Sequence, residues 1–192
     1  MLIAFEGGEG TGKSTQARLL AARLGALLTF EPGGTPLGAE LRGLLLDGDD
    51  VDARAEALLM AADRAEHCAQ VIKPALDRGE HVVTDRYFYS SLAYQGYGRG
   101  LDLDELRSLS TFASAPEADL VILLTIPVAV RRERLHGDLD RIEAGDDVFH
   151  ERIEKGFLEL AAADPKRWVV IVATGSVQDV ADLVWTEVSS RL

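Results

Sequence analysis

The run FEGGEGTGKST contains Gly7 to Ser14, GGEGTGKS, which fits G-x-x-x-x-G-K-[ST] directly after an apolar stretch and ahead of a helical one. This spacing grips phosphate for mechanical reasons. Gly7, Gly8, Gly10 and Gly12 let successive backbone N–H groups turn inward, and the helix that follows adds the positive end of its dipole. Lys13 has the reach for β- and γ-phosphates, and the Ser14 hydroxyl can ligate Mg²⁺. With Glu9, Thr11 and Thr15 these residues form the expected triphosphate site. Glu9 stands out, because it is an anion inside a cradle for anions. Its place makes sense if it points away from the triphosphate toward a second substrate.

Other charged residues are placed to meet that substrate. Asp85-Arg86-Tyr87 follows HVVT, and a strand end fixes the backbone so that a charged pair projects into a crevice. Arg86 has the fork to grip a monophosphate in two places, while Asp85 could hold a metal-bound water or orient that arginine. In RRERLHGDLDRIE, Arg131, Arg132 and Arg134 share a helix that turns through Gly137 toward Asp140-Arg141. A charged exposed helix is one reading of this stretch. The other is a cationic flap that closes over a donor and excludes water.

Composition narrows the class. The net charge of −12 disfavours a broad nucleic-acid or acidic-membrane surface. Lysine occurs only at Lys13, Lys73, Lys155 and Lys166, so the remaining cations are arginines, suited to phosphate oxygens in local pockets. The chain has no asparagine and so lacks the Asn-Lys-x-Asp element of a GTPase. VILLT ends in Thr125 where larger ATPases carry an acid. A small kinase is the class that remains.

These groups need a scaffold. LIAFE, ALLTFE, HVVTD, DLVILLTI and RWVVIVA read as strands, with helices over Lys13–Leu24, Leu37–Leu46, Ala53–Arg78 bent near Pro74, Leu103–Ala115 and Val177–Arg191. A further helix is expected to open at SSLAYQ, capped by Ser90. Strands apolar on both faces and separated by helices imply a parallel sheet covered on each side. The expected fold is α/β, a P-loop kinase with a five-stranded parallel sheet, helices on both faces, and right-handed crossovers. Ligands in such sheets sit at the carboxyl ends of the strands, which lines up Gly7–Ser14, Glu31–Thr35 and Asp85–Arg86. At 192 residues one domain is expected, 1–192, with a lid segment at about 131–147. No apolar run reaches the ~18 residues of a membrane span. MLIAFEGG reads as a first strand rather than a leader. Cys68 stands alone, so a reducing, cytoplasmic setting is expected. His67, His81 and His150 form no metal-ligand spacing with Cys68 and are read as structural or surface residues.

Taken with the phosphate loop, TFEPGGTPLGAELR, LMAADRAEH, TDRYFYSSLAYQGYGRG and RRERLHGDLDRIE make the sequence resemble the thymidylate kinase family over nearly its whole length. The resemblance implies ATP as donor, dTMP as acceptor, Mg²⁺, a role in dTTP biosynthesis and a homodimer through the long helices. It puts Arg86 and Arg42 on the dTMP phosphate, Arg64 on the thymine carbonyl and Met60 against the base, where the family usually has phenylalanine. Ser91 and Gln95 then lie near the pyrimidine edge, Tyr94 lies beside the sugar, and Glu9 meets the 3′-hydroxyl or the metal. Glu31 is a second acceptor-side acid. Phe30 replaces an arginine common before that glutamate, and His136 replaces one common before Gly137. The resemblance makes Lys13, Asp85, Arg86, Arg132 and Arg134 the catalytic set, leaves open which of Arg132, Arg134 and Arg141 serves the transition state, and puts Ser14 and Asp85 at the metal. A deoxynucleoside kinase or a non-catalytic nucleotide sensor would share the phosphate loop. The first would need a general base for a neutral hydroxyl acceptor, and the second would have no use for lid arginines.

Overall fold

The computed structural model of the chain describes residues 1–47, 50–134, 142 and 146–192. Its frame follows from LIAFE, β1 (Leu2–Glu6), every residue of which is buried. Side chains alternate across a strand, so Leu2 and Ala4 join one apolar cluster while Ile3 and Phe5 join another. A strand buried on both faces needs cover on both faces. Burying each large side chain contributes about 1.5–3 kcal/mol.

Around β1 lie β2 (Leu27–Phe30), β3 (Val82–Asp85), β4 (Leu120–Thr125) and β5 (Trp168–Val172), in the order β2-β3-β1-β4-β5. Every described pairing is parallel, and the expected five-stranded sheet is present. The register sets both Phe5 and Phe30 opposite Asp85, which brings the ends of β1, β2 and β3 to one edge. One face is covered by α1 (Lys13–Leu24) and α9 (Val177–Ser189), through Ala17, Leu20, Val180 and Val184. Ser176 and Asp179 close a reciprocal capping box at the start of α9. The other face carries α3 (Ala53–His67), α5 (Phe88–Ser91), α6 (Leu103–Phe112) and α8 (Asp147–Ala163), with Tyr87, Tyr94, Phe149 and Phe157 in its core. Along the rim run α2 (Pro36–Leu46), capped by Thr35, and α7 (Val128–Arg134). The rim also holds α4 (Lys73–Asp77).

Most expected elements differ from the observed ones only by a residue or two at their ends, where helices and strands fray. Three departures have physical causes. The long helix from Ala53 is α3, a wider π-helical turn over Cys68–Ile72, and then α4. Pro74 offers no N–H and its ring crowds the carbonyl four residues back, so the widening falls in the turn before it. The helix at SSLAYQ starts earlier, at Phe88, and runs on as a π-helical segment over Leu92–Gly98. Ser90 therefore sits inside the first turn and is not the cap, and a buried carboxylate accepts from the N–H groups of Tyr87 and Ser90 instead. Finally, α8 was not among the expected helices, although Phe149, Ile153, Phe157 and Leu160 recur at the helical period and all are buried. Much of the expected lid, including His136, Gly137, Asp140 and Arg141, lies outside the described residues.

Candidate active site

At the carboxyl edge of the sheet the phosphate loop leaves β1 through Gly7, whose φ is 138°. A Cβ there would stand 2.2 Å from the Leu124 carbonyl oxygen, so β4 itself requires glycine at this position. The loop closes on Gly8, whose carbonyl accepts from the Thr11 hydroxyl at 2.9 Å and from Lys13 Nζ at 2.7 Å. Gly10 and Gly12 also take positive φ, and Gly12 stands at the N-terminus of α1. No acid occupies the first turn of α1, which leaves its positive end for an anion. Burial pushes the Lys13 ammonium below its usual pKa, with Arg86 adding to that, while Glu9, Asp85 and Glu6 oppose it.

Ser14 donates to Asp85 Oδ2, and Asp85 Oδ1 is buried with no hydrogen-bond partner. A hydroxyl beside a carboxylate with an unused oxygen is a hard-oxygen donor set. It fits Mg²⁺, which takes one or two carboxylates and completes its shell with water and phosphate. Asp85 thus faces Ser14 rather than orienting Arg86.

Arg86 is surrounded by other groups. Its guanidinium donates to the Gly7 carbonyl and the Ser90 hydroxyl at 3.2 Å each, to the Tyr94 hydroxyl at 3.1 Å, and to Glu9. Tyr94 also donates to Glu9 at 3.0 Å, and its ring lies 5.0 Å from the guanidinium carbon. Glu9 therefore points away from the glycine cradle, toward Arg86 and Tyr94. Desolvation works against the charge on Arg86, but Glu9, Tyr94, Glu6 and Asp85 outweigh it and hold the pKa above the usual arginine range. Burial pushes Glu6 up to about 7, against the lowering effect of Ser90, Arg86 and the Tyr87 N–H.

A cleft of about 630 Å³ opens beside these groups. Glu9, Glu31, Arg42, Met60, Arg64, Arg86, Ser91, Tyr94 and Gln95, the acceptor-side residues expected from the sequence, all line it, as do Lys13, Ser14 and Asp85. Arg64 is 3% exposed, so it is no solvated surface arginine. It donates through Nε to Glu31 Oε2 at 2.9 Å and through a terminal nitrogen to Ser91 Oγ at 3.1 Å. His67 is buried between Glu31 and Thr29 and is structural. Arg42, on α2, donates to the Pro32 carbonyl at 2.9 Å. Gln95 donates its amide to buried Glu56 at 2.8 Å.

The lid arginines divide. Arg134 donates to the carbonyls of Gly10 and Ala173 at 3.2 and 3.1 Å, which seats it on the phosphate loop. Arg132 is 66% exposed on its side chain and pairs with Asp147 at 3.0 Å. One residue near these sites was not singled out from the sequence. Glu6 was read only as the last residue of a strand, although a carboxylate ending an otherwise apolar, fully buried strand is itself a signal. Arg131 is 7% exposed and lies 3.6 Å from Glu154.

The family model for thymidylate kinase matches residues 5–184. The chain belongs to the thymidylate kinase family. A thymidylate kinase from Synechococcus sp. (strain JA-2-3B'a(2-13)) is 50% identical over 198 residues, covering 100% of this chain and 96% of that protein. Another, from Deinococcus radiodurans, is 42% identical over 200 residues, covering 100% of this chain and 97% of the relative. The crystal structure of thymidylate kinase from Ehrlichia chaffeensis matches the fold with a TM-score of 0.83 at 31% identity, over 98% of each chain.

Proposed function

We propose that this chain phosphorylates dTMP to dTDP with ATP, by direct in-line transfer, on the route to dTTP. The observation that carries the reading is the shared cleft: Lys13 and Ser14 at the phosphate loop line it together with Arg42 from α2 and Arg86 from the turn after β3. Two cationic sides opposed across one space suit two phosphorylated ligands. A neutral hydroxyl acceptor would have no need of the second side.

The ATP phosphates lie in the loop over Gly7 to Thr15, with Lys13 on the β- and γ-oxygens. Arg86 and Arg42 hold the dTMP phosphate, and bidentate guanidinium contacts fix its direction as well as its charge. Met60 presses on the thymine through a polarizable thioether, and Arg64, locked by Glu31 and Ser91, meets a thymine carbonyl. Ser91 and Gln95 face the pyrimidine edge, and Tyr94 flanks the sugar. Glu9 accepts from the 3′-hydroxyl. Ser14 and Asp85 would hold Mg²⁺, which when bound neutralises charge on the phosphate oxygens. The acceptor is already an anion, so strong base catalysis and a covalent nucleophile are unnecessary, and positioning plus charge neutralisation provide the acceleration. Arg134, the lid arginine on the phosphate loop, stabilises the transferring group. Arg132, turned outward to Asp147, does less.

The working assembly is a homodimer, and the setting is cytoplasmic. The exposed ring of Phe112 and the apolar groove lined by Ala57, Leu58, Leu101 and Leu109, between α3 and α6, favour the first. Among the described residues no helix is long and apolar enough to cross a membrane. Recovery of the protein with membranes on cell fractionation would contradict the second. The functional test is a coupled ADP-release assay with ATP against a panel of nucleoside monophosphates and thymidine. Turnover with dTMP well above all other acceptors is expected. Equal turnover with thymidine, or none with dTMP, overturns the reading.

A further inference from the structure

Alternation along β1 puts Glu6 on the same face as Leu2 and Ala4, under α5, where it is 0% exposed. Its Oε1 accepts from the Tyr87 N–H at 3.0 Å and from the Ser90 N–H at 3.1 Å. Its Oε2 accepts from the Ser90 hydroxyl at 2.5 Å. All three donors belong to the turn that begins at Arg86.

That turn is strained. Arg86 has a φ of 66°, in the left-handed region that favours glycine. A residue persists there only when its surroundings over-determine it, and such residues gather at functional sites. The Arg86 N–H donates to the Phe5 carbonyl at 2.9 Å, and its carbonyl accepts from the Thr84 hydroxyl at 2.7 Å. Glu6 fixes the peptide that follows. The Ser90 hydroxyl then links the two sites, since it donates to Glu6 and accepts from the Arg86 guanidinium at 3.2 Å.

We propose that Glu6 is a positioning residue for the acceptor: by holding Tyr87 and Ser90 it keeps the left-handed turn at Arg86 and aims that guanidinium at the dTMP phosphate. The inference rests on the reading of Arg86 as a phosphate ligand. A carboxylate suits the task because one group must accept three hydrogen bonds: from the Tyr87 N–H, from the Ser90 N–H that it shares with the Tyr87 carbonyl, and from the Ser90 hydroxyl. Glutamine in its place keeps the shape and one acceptor oxygen, but it offers an N–H₂ group where Ser90 needs an acceptor. A plain helix cap would matter to stability alone. A positioning group should act on dTMP through Arg86.

Calorimetric titration of dTMP and of ATP into wild type, Glu6→Gln, Arg86→Ala and the double variant separates these roles. Glu6→Gln should weaken dTMP about tenfold, the size of one charge-assisted hydrogen bond, and leave ATP affinity within about twofold. In the Arg86→Ala background the same change should add less than about twofold, because Glu6 has nothing left to aim. Unchanged dTMP affinity in Glu6→Gln, an equal loss for ATP, or full additivity in the double variant overturns the proposal. If Arg86→Ala binds dTMP as wild type does, the reading of Arg86 falls first. Should Glu6→Gln not fold, Ser90→Ala breaks the same linkage and is held to the same non-additive, dTMP-selective loss.

Discussion

Arg134 and Arg132 sit two positions apart on α7, yet they face different surroundings. Arg134 bridges the carbonyls of Gly10 and Ala173, whereas Arg132 lies in solvent against Asp147. Removing an arginine that stabilises a transferring phosphoryl group can cost about 10³-fold in kcat or more. Removing one partner of an exposed pair does little. Steady-state assays should therefore show a loss of about 10³ for Arg134→Ala and less than about tenfold for Arg132→Ala. The reverse order would move the catalytic role to the other side chain. Glu6 yields a second residue-scale prediction, in stability. An acid whose folded pKa lies above its unfolded one keeps its proton longer when folded, so the folded state loses ground as pH climbs between the two values. With Glu6 pushed up to about 7, that window runs from about 4.5 to 7. Over it, wild type should lose about 3 kcal/mol relative to Glu6→Gln. Asp63, pushed up to about 6 by burial and then Glu31, adds a slope of the same sign to both proteins and cancels from the difference. Urea unfolding at several pH values measures it, and parallel curves would contradict the buried, raised carboxylate.

At the scale of elements, the phosphate loop works because β4 presses against it. A Cβ on Gly7 would meet Leu124, while one on Gly12 would meet nothing within 4 Å, although both glycines hold positive φ. Gly7→Ala should lower unfolding free energy by roughly 2–4 kcal/mol and Gly12→Ala by roughly 1 kcal/mol, read from denaturant midpoints. Equal losses would mean that backbone strain alone matters at both sites. The same loop marks what could be read in advance. The five strands were legible because each is apolar on both faces, and Gly7–Ser14 was legible because its spacing has one mechanical meaning. Of the nine residues expected on the acceptor side, Glu9 and Arg86 were placed by their positions in the loop and at a strand end and the other seven by resemblance, while their convergence on one cleft depends on how distant elements pack. The first turn of α5 was misread because its cap comes from Glu6, more than 80 residues earlier, and local patterns hold no trace of such a partner. The burial of Arg64 could not be read locally for the same reason: Glu31 and Ser91, which make it tolerable, lie on other elements.

For the whole molecule, the sheet brings the phosphate loop and the turn at Arg86 to one edge, and α3 and α6 leave an apolar groove and an exposed Phe112. If that flank joins two copies, wild type should sediment as a dimer and Leu58→Glu should shift it toward monomer, since an unpaired charge in an apolar interface is strongly disfavoured. A monomeric wild type would contradict the assembly. The central claim is that one cleft brings a second phosphate under Arg86. A crystal structure of the protein with dTMP and a non-hydrolysable ATP analogue tests it most directly. The account predicts the dTMP phosphate within hydrogen-bonding distance of the Arg86 guanidinium, with the carboxylate of Glu9 transferred from that arginine to the sugar 3′-hydroxyl. A dTMP molecule bound elsewhere, with Arg86 still paired to Glu9, would contradict it.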